Sequence, residues 1–188
     1  AIGAIHGAGH AEIEVSVVAS ENTPVEIAAD ESRSNAMEEY TSFREEQLIP
    51  DAWPVKDHNS ISSHYGYRKD PFTGKRKFHR GIDIPMPVGT PIYATAAGTV
   101  IKACVNRHTG RYVIIDHAGQ YRTIYAHLTR IKVETGDFVQ KGDHIAHSGN
   151  TGRSTGPHLH YQIETPEGES INPLIFFKPQ KQKRDENN

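Results

Sequence analysis

From residue 53 onward the apolar positions fall in short runs that alternate with polar ones, and Gly, Pro, Asn and Asp interrupt the runs every few residues. A period of two marks a strand with one buried face, because successive side chains of an extended chain point to opposite sides. On that pattern strands are predicted over 61–68, 81–85, 91–94, 98–105, 112–117, 121–127 and 143–148. Shorter pieces at 131–133 and 138–139 fill the interval, and a last strand opens at His158. A polar loop is expected over 69–77, with Pro71 and Gly74 as turn residues. No segment from 51 to 175 repeats with helical periodicity. Strands this short, with turns this frequent, argue for an all-β, mainly antiparallel domain built as a partly open sandwich or barrel-like sheet.

Residues 1–50 have a different texture. They hold a short alternating stretch at 12–18, a helical stretch at 37–48, and otherwise acidic, loop-like sequence. The expected organisation is an N-terminal extension over 1–50, one β domain over 51–177, and a charged, frayed tail over 178–188. The opening Ala1-Ile2-Gly3-Ala4-Ile5 is small and apolar, like the end of a trimmed export or anchor segment, although it carries no charged n-region. A membrane anchor or another domain upstream is one expectation that follows. No apolar run approaches the roughly 18 residues of a membrane-spanning helix.

Charge sharpens this division. Residues 1–50 carry ten Asp/Glu against Arg33 and Arg44, a net of −8, whereas 51–188 carry nineteen Lys/Arg against thirteen Asp/Glu, a net of +6. A basic domain suits an anionic polymer such as nucleic acid or bacterial cell wall. Nucleic acid is the weaker choice, because basic and aromatic residues are not interleaved and no binding motif is present. The one cysteine, Cys104, excludes an intramolecular disulfide and, between Ala103 and Val105, reads as a small core residue. Eight of the twelve histidines lie between 79 and 160, a density more typical of metal and proton-transfer chemistry than of packing.

The histidines fall into a pattern. Gly156-Pro157 ends irregular chain just before His158-Leu159-His160-Tyr161, so His158 and His160 share one face of a strand. Two imidazoles aimed at one spot can hold a metal together, or divide into one ligand and one acid–base group. Upstream, His79 precedes Asp83 by four residues, about 13 Å along a straight strand. For both to reach one ion the backbone must bend between them, and Gly81 is the residue that allows it. His79, Asp83 and His160 together make two imidazoles and a carboxylate with a fourth position open, the ligand set of catalytic rather than structural zinc. Zinc lowers the pKa of bound water to roughly 7. A further group must then shuttle the proton, and His158 and His127, the latter at the end of the run 121–127, are the candidates.

Taken in order, Ser63-His64-Tyr65-Gly66-Tyr67-Arg68, His79-x-x-x-Asp83, Tyr125-x-His127 and His158-x-His160 resemble the lysostaphin-type (LytM-like) zinc endopeptidases. The loop from Gly149 to Pro157 and the later Ile171-Asn172-Pro173 are also similar to that family, and the resemblance covers about residues 60–175. It implies a β-rich fold and a single Zn2+ held by His79, Asp83 and His160. It also implies catalytic roles for His127 and His158, and as substrate the peptide stems or cross-bridges of bacterial peptidoglycan, in the periplasm or outside the cell. Some relatives lack ligands and only activate amidases; here all five positions are filled, which favours an active enzyme over a non-catalytic cell-wall binder. The runs 89–100 and 136–143 also resemble half-motifs of biotinyl/lipoyl and phosphocarrier folds. No lysine sits where such a hairpin would be modified, and a phosphocarrier has no use for Asp83 beside His79.

Tyr67 and Arg68 are expected to brace the cleft or touch substrate. Asn150, Thr151 and Ser154 are candidate substrate contacts, or simply loop. Tyr125 is assigned to the core, and His108, His117, His144 and His147 to the surface or to strand ends.

Overall fold

The computed structural model describes residues 37–39, 41–56 and 60–177. The chain divides into two compact units, 1–40 and 41–188. Of the first, the described residues 37–39 are helical, and the stretch expected to be a strand at 12–18 lies outside the described residues, as does the tail from 178. In the second unit a helix over 41–48 leads into the β domain, where Gln47 O accepts from Ala97 N–H at 2.8 Å and Lys141 Nζ reaches Asp51 at 2.6 Å.

Among the described residues, twelve strands follow. β1 (Gly66–Lys69) and β2 (Arg76–His79) form an antiparallel hairpin. β4 (Pro91–Tyr93), β10 (His144–His147) and β8 (Arg130–Ile131) form a three-stranded sheet. The main sheet runs β12 (Ser170–Ile171), β11 (His158–Glu164), β7 (Tyr121–Leu128), β6 (Gly110–His117), β5 (Gly98–Asn106), β9 (Phe138–Val139). β3 (Ile82–Pro85) is also paired with β11. Every pairing is antiparallel and both larger sheets are open, as the alternating pattern predicts.

One face of the main sheet is apolar. Ile82, Ile84, Val100, Val113, Ile115, Tyr125, Leu128, Leu159, Tyr161 and Ile163 are buried there with Ile92 and Ile145 of the smaller sheet. Burying side chains of this size stabilises by roughly 1.5–3 kcal/mol each before conformational entropy is set against it. Two phenols sit in this apolar layer, and Thr95 answers both: Tyr125 Oη lies 3.0 Å and Tyr161 Oη 2.9 Å from its hydroxyl. Tyr125 is therefore core, and its hydroxyl also accepts from Thr95 N–H at 3.0 Å.

Three expectations need correction. The run 61–68 is not one strand: Ser63 makes only an isolated bridge to Asp83, and Gly66, with φ 118°, starts a separate strand. The polar run 69–77 is not all loop: Lys69 ends β1 and residues 76–77 begin β2, which pairs with β1 although three of its four side chains are exposed. Cys104 is exposed rather than core. A bulge between Val100 and Lys102 inserts one residue into β5, so alternation reverses and Ala103, not Cys104, turns toward the core.

Candidate active site

The polar face of β11 carries His158, His160, Gln162 and Glu164, one every second residue, while Leu159, Tyr161 and Ile163 are buried behind it. Register then brings the partners. Asp83 stands directly opposite His160 across the β3–β11 pairing, on the same face. His79, the last residue of β2, is connected to Asp83 through Gly81, and a side chain at 81 would sit 2.3 Å from Tyr161 O. The bend that the sequence requires is therefore present, and the glycine permits close approach to the β11 backbone.

His127 depends on a different device. Alternation along β7 would put it on the core side with Thr123 and Tyr125. Between Arg111 and Val113 of β6, however, β7 holds an extra residue, and His127 takes φ 62°. A bulge with left-handed backbone is costly for a residue other than glycine and is found disproportionately at functional sites. It turns the ring to the polar face, 4.7 Å from the His158 ring and 6.1 Å from that of His160, centroid to centroid.

The donor atoms converge. His79 Nε2 and His160 Nδ1 lie 3.1 Å apart, and Asp83 Oδ1 lies 3.1 Å from the first and 2.9 Å from the second. His158 Nε2 is 3.7 Å from the same oxygen. Each imidazole disposes of its outer N–H: His79 Nδ1 donates to His64 O at 2.9 Å, His127 Nδ1 to Thr151 O at 2.8 Å and His158 Nδ1 to Gly156 O at 2.7 Å. His160 Nε2 donates to Gln162 Oε1 at 3.2 Å, and Gln162 is oriented by giving its amide N–H to Glu164. With their outer nitrogens so held, the four rings turn His79 Nε2, His160 Nδ1, His127 Nε2 and His158 Nε2 to the inner side, the nitrogens through which metal binding and proton acceptance can occur. The second oxygen of Asp83 faces Arg68, 3.3 Å away. Burial works to raise the Asp83 carboxyl, but hydrogen bonds and charge from His160 and His79 outweigh it and hold the group well below the usual carboxylate range. Burial also pushes His127 down to about 4, with the neighbouring His158 and His160 adding to the effect, so it is neutral at physiological pH.

His79, Asp83 and His160 could hold a metal ion, their donor atoms lying within 4.8 Å of one another. Two imidazole nitrogens and one carboxylate oxygen suit zinc, and three ligands leave a position open. The site lies in an open cleft of about 470 Å³, flanked by the aromatic rings of Phe72 and Phe78.

Residues 77–173 match peptidase family M23. This chain belongs to that family. Over 127 residues it is 45% identical to the peptidoglycan DD-endopeptidase ShyC of Vibrio cholerae, a match covering 67% of this chain and 29% of that protein. Among solved structures, a zinc containing peptidase from Vibrio cholerae aligns with a TM-score of 0.61 and 36% identity, over 68% of this chain and 39% of that one. The catalytic domain of the antimicrobial peptidase lysostaphin from Staphylococcus simulans aligns with a TM-score of 0.57 and 29% identity, over 64% and 98%. The M23 chain thus spans under a third of the length of the curated relatives it matches.

Of the other residues singled out in the sequence, Arg68 and Ser154 line the M23 cleft. Tyr67, Asn150 and Thr151 do not. Tyr67 is on the outer side of β1, under Arg76 at 4.0 Å. Thr151 serves His127 through its carbonyl and donates its hydroxyl to Leu128 O at 2.7 Å. Asn150 is exposed. His117, expected at the surface or at a strand end, is the last residue of β6 and is fully buried: Nδ1 donates to Ala97 O at 2.7 Å, and Nε2 lies 2.8 Å from the Thr123 hydroxyl. The sequence reading missed Gln162, which its spacing from His160 could have revealed, and Asp70 and Arg153, for which no local pattern gives a signal.

Proposed function

We propose that this chain is a zinc endopeptidase domain that hydrolyses an amide bond in the peptide stems or cross-bridges of peptidoglycan, in the bacterial cell envelope. The observation that carries the proposal is the set of four imidazoles whose outer N–H groups are all engaged, so that four free ring nitrogens and one carboxylate oxygen face a single open cleft. Identity to a protein named a peptidoglycan DD-endopeptidase makes a DD-cross-link the first substrate to assay, ahead of a glycine bridge. Arg68, Lys77, Arg80 and Arg153 outnumber Asp70 and Asp83 along the cleft, which suits a peptide bearing carboxylates.

In this reading His79, Asp83 and His160 would hold the metal. Bound zinc supplies Lewis acidity, polarising the scissile carbonyl and making a water acidic enough to attack at neutral pH. His127, neutral because it is buried, can take the water proton at Nε2 while Thr151 O fixes its ring. His158 presents Nε2 beside it, and Gly156 O fixes that ring. Either imidazole, once protonated at Nε2, becomes a donor that can support negative charge on the carbonyl oxygen and pass the proton to the departing amine. Arg68 occupies the far oxygen of Asp83 and leaves Oδ1 for the metal.

The test is digestion of purified cross-linked muropeptides, followed by mass spectrometry. Dimers should split into two fragments that together gain one water, and chelation should stop the reaction. Zinc-loaded protein that leaves every muropeptide intact would overturn the proposal in favour of a non-catalytic binder or amidase activator of the same fold.

A further inference from the structure

The loop between β10 and β11 orients both histidines to which acid–base roles are proposed, and it does so within six residues. Thr151 O receives His127 Nδ1–H, and Gly156 O, which also accepts from the Ser154 hydroxyl at 2.8 Å, receives His158 Nδ1–H. Between them Gly152 is pressed against the β5–β6 turn, where a Cβ would lie 2.2 Å from Gly110 N, and Arg153 N–H donates to His108 O at 2.8 Å. The side chain of Arg153 leaves this bolted loop and crosses to the other wall of the cleft. Its Nη2 reaches Asp70 Oδ1 at 3.2 Å, and its guanidinium lies over the Phe72 ring at 4.4 Å.

Asp70 is only 6% exposed and is the hub of the β1–β2 turn. Its Oδ1 also accepts from Phe72 N–H at 2.9 Å, Thr73 N–H at 2.8 Å and the Thr73 hydroxyl at 3.1 Å. Lys77 Nζ stands 3.8 Å from Oδ2. Asp70 and Arg153 both line the cleft that holds the histidines.

We infer that the Asp70–Arg153 pair is a clasp: it ties the β1–β2 turn, with Phe72 on the cleft wall, to the loop that aims His127 and His158, so that this wall and the two rings hold one arrangement. Both are positioning residues, since neither touches the metal-binding triad. The inference rests on the acid–base reading of His127 and His158. An arginine on a nearly buried carboxylate, stacked on an aromatic ring, has a fixed geometry that a surface ion pair lacks. A misplacement on the scale of 1 Å at a reacting group can cost about 10²-fold in rate.

The simpler alternative is that Asp70 only caps its turn and Arg153 only covers Phe72. Asp70→Asn separates the two, because an amide oxygen still accepts from Phe72 and Thr73 while the charge facing Arg153 is gone. Arg153→Met keeps an apolar stem on the ring and loses the ion pair. On zinc-loaded full-length protein, each variant is expected to lower kcat roughly tenfold with KM changed less than threefold and zinc content unchanged. The double variant should be no worse than either single one, and Arg153→Lys should restore part of kcat. In parallel, the imidazole 15N shifts of His127 and His158 should move in Asp70→Asn and Arg153→Met.

Wild-type kcat in both single variants, or losses that multiply in the double variant, would overturn the clasp. So would unmoved 15N shifts. The shifts are read without substrate, so a protein that cleaves no muropeptide would refute the proposed function while the clasp is still decided by the imidazole signals.

Discussion

Gly81→Ala tests how the metal donors are brought together. Gly81 joins His79 to β3, and a Cβ there would sit 2.3 Å from Tyr161 O and 3.0 Å from His160 Cε1. Ordinary C–H···O approach is about 3.3 Å, so the linker must retreat by about 1 Å. It cannot retreat freely, because Asp83 is in register with His160 and its backbone N–H donates to Ser63 O at 2.9 Å. Overpacking of this kind costs about 1–3 kcal/mol of stability. The retreat moves His79 relative to Asp83 and His160, whose donor atoms now lie 2.9 to 3.1 Å apart. Disturbing what orients metal ligands costs about 10–100-fold in metal affinity, and the same shift at a reaction centre costs about 10²-fold in rate. The assay is competition for zinc against a fluorescent chelator, with thermal melts of the metal-free protein and turnover on a muropeptide dimer. A variant with wild-type zinc affinity and turnover would refute the argument that close approach at Gly81 sets the donor geometry.

Asp83→Ala and His160→Ala should lose zinc and activity together, whereas His127→Ala and His158→Ala should keep zinc and lose turnover by about 10²–10⁴-fold; zinc content and kcat on the four proteins in one buffer check this division. Gln162→Leu frees His160 Nε2–H from its acceptor and should weaken zinc binding about 10–100-fold with a smaller loss at saturating zinc, measured by the same competition. Burial lowers the pKa of His117 and takes that of His127 to about 4, against about 6.5 in an unfolded chain. Below about pH 6.5 the unfolded chain binds protons that the folded one refuses, so stability of the metal-free protein should be complete above that pH and fall as pH drops toward 4. Melts across that window should show a shallower fall for His117→Gln than for the wild type.

Much of this protein follows from local sequence. Alternation from residue 53 gave the strands and their antiparallel character, because a strand buried on one face must repeat every two residues. The same rule put His158 and His160 on one face, and the spacing of His79 and Asp83 required a bend at Gly81, which is present. The tertiary structure decided what period-two reading cannot reach. A bulge in β7 turns His127 from the core side to the cleft, and a bulge in β5 turns Cys104 outward, because one inserted residue reverses every face beyond it. His117 is buried, and its acceptor Ala97 O comes from twenty residues away. β2 is a strand because β1 pairs with it, not because its own side chains alternate. Arg153 finds Asp70 eighty-three residues upstream, a meeting set by how the loops fold over the sheet. Alternation is a property of neighbouring residues, while register, bulges and loop contacts are set by partners distant in the chain, and those partners fix which way the histidines of the cleft point.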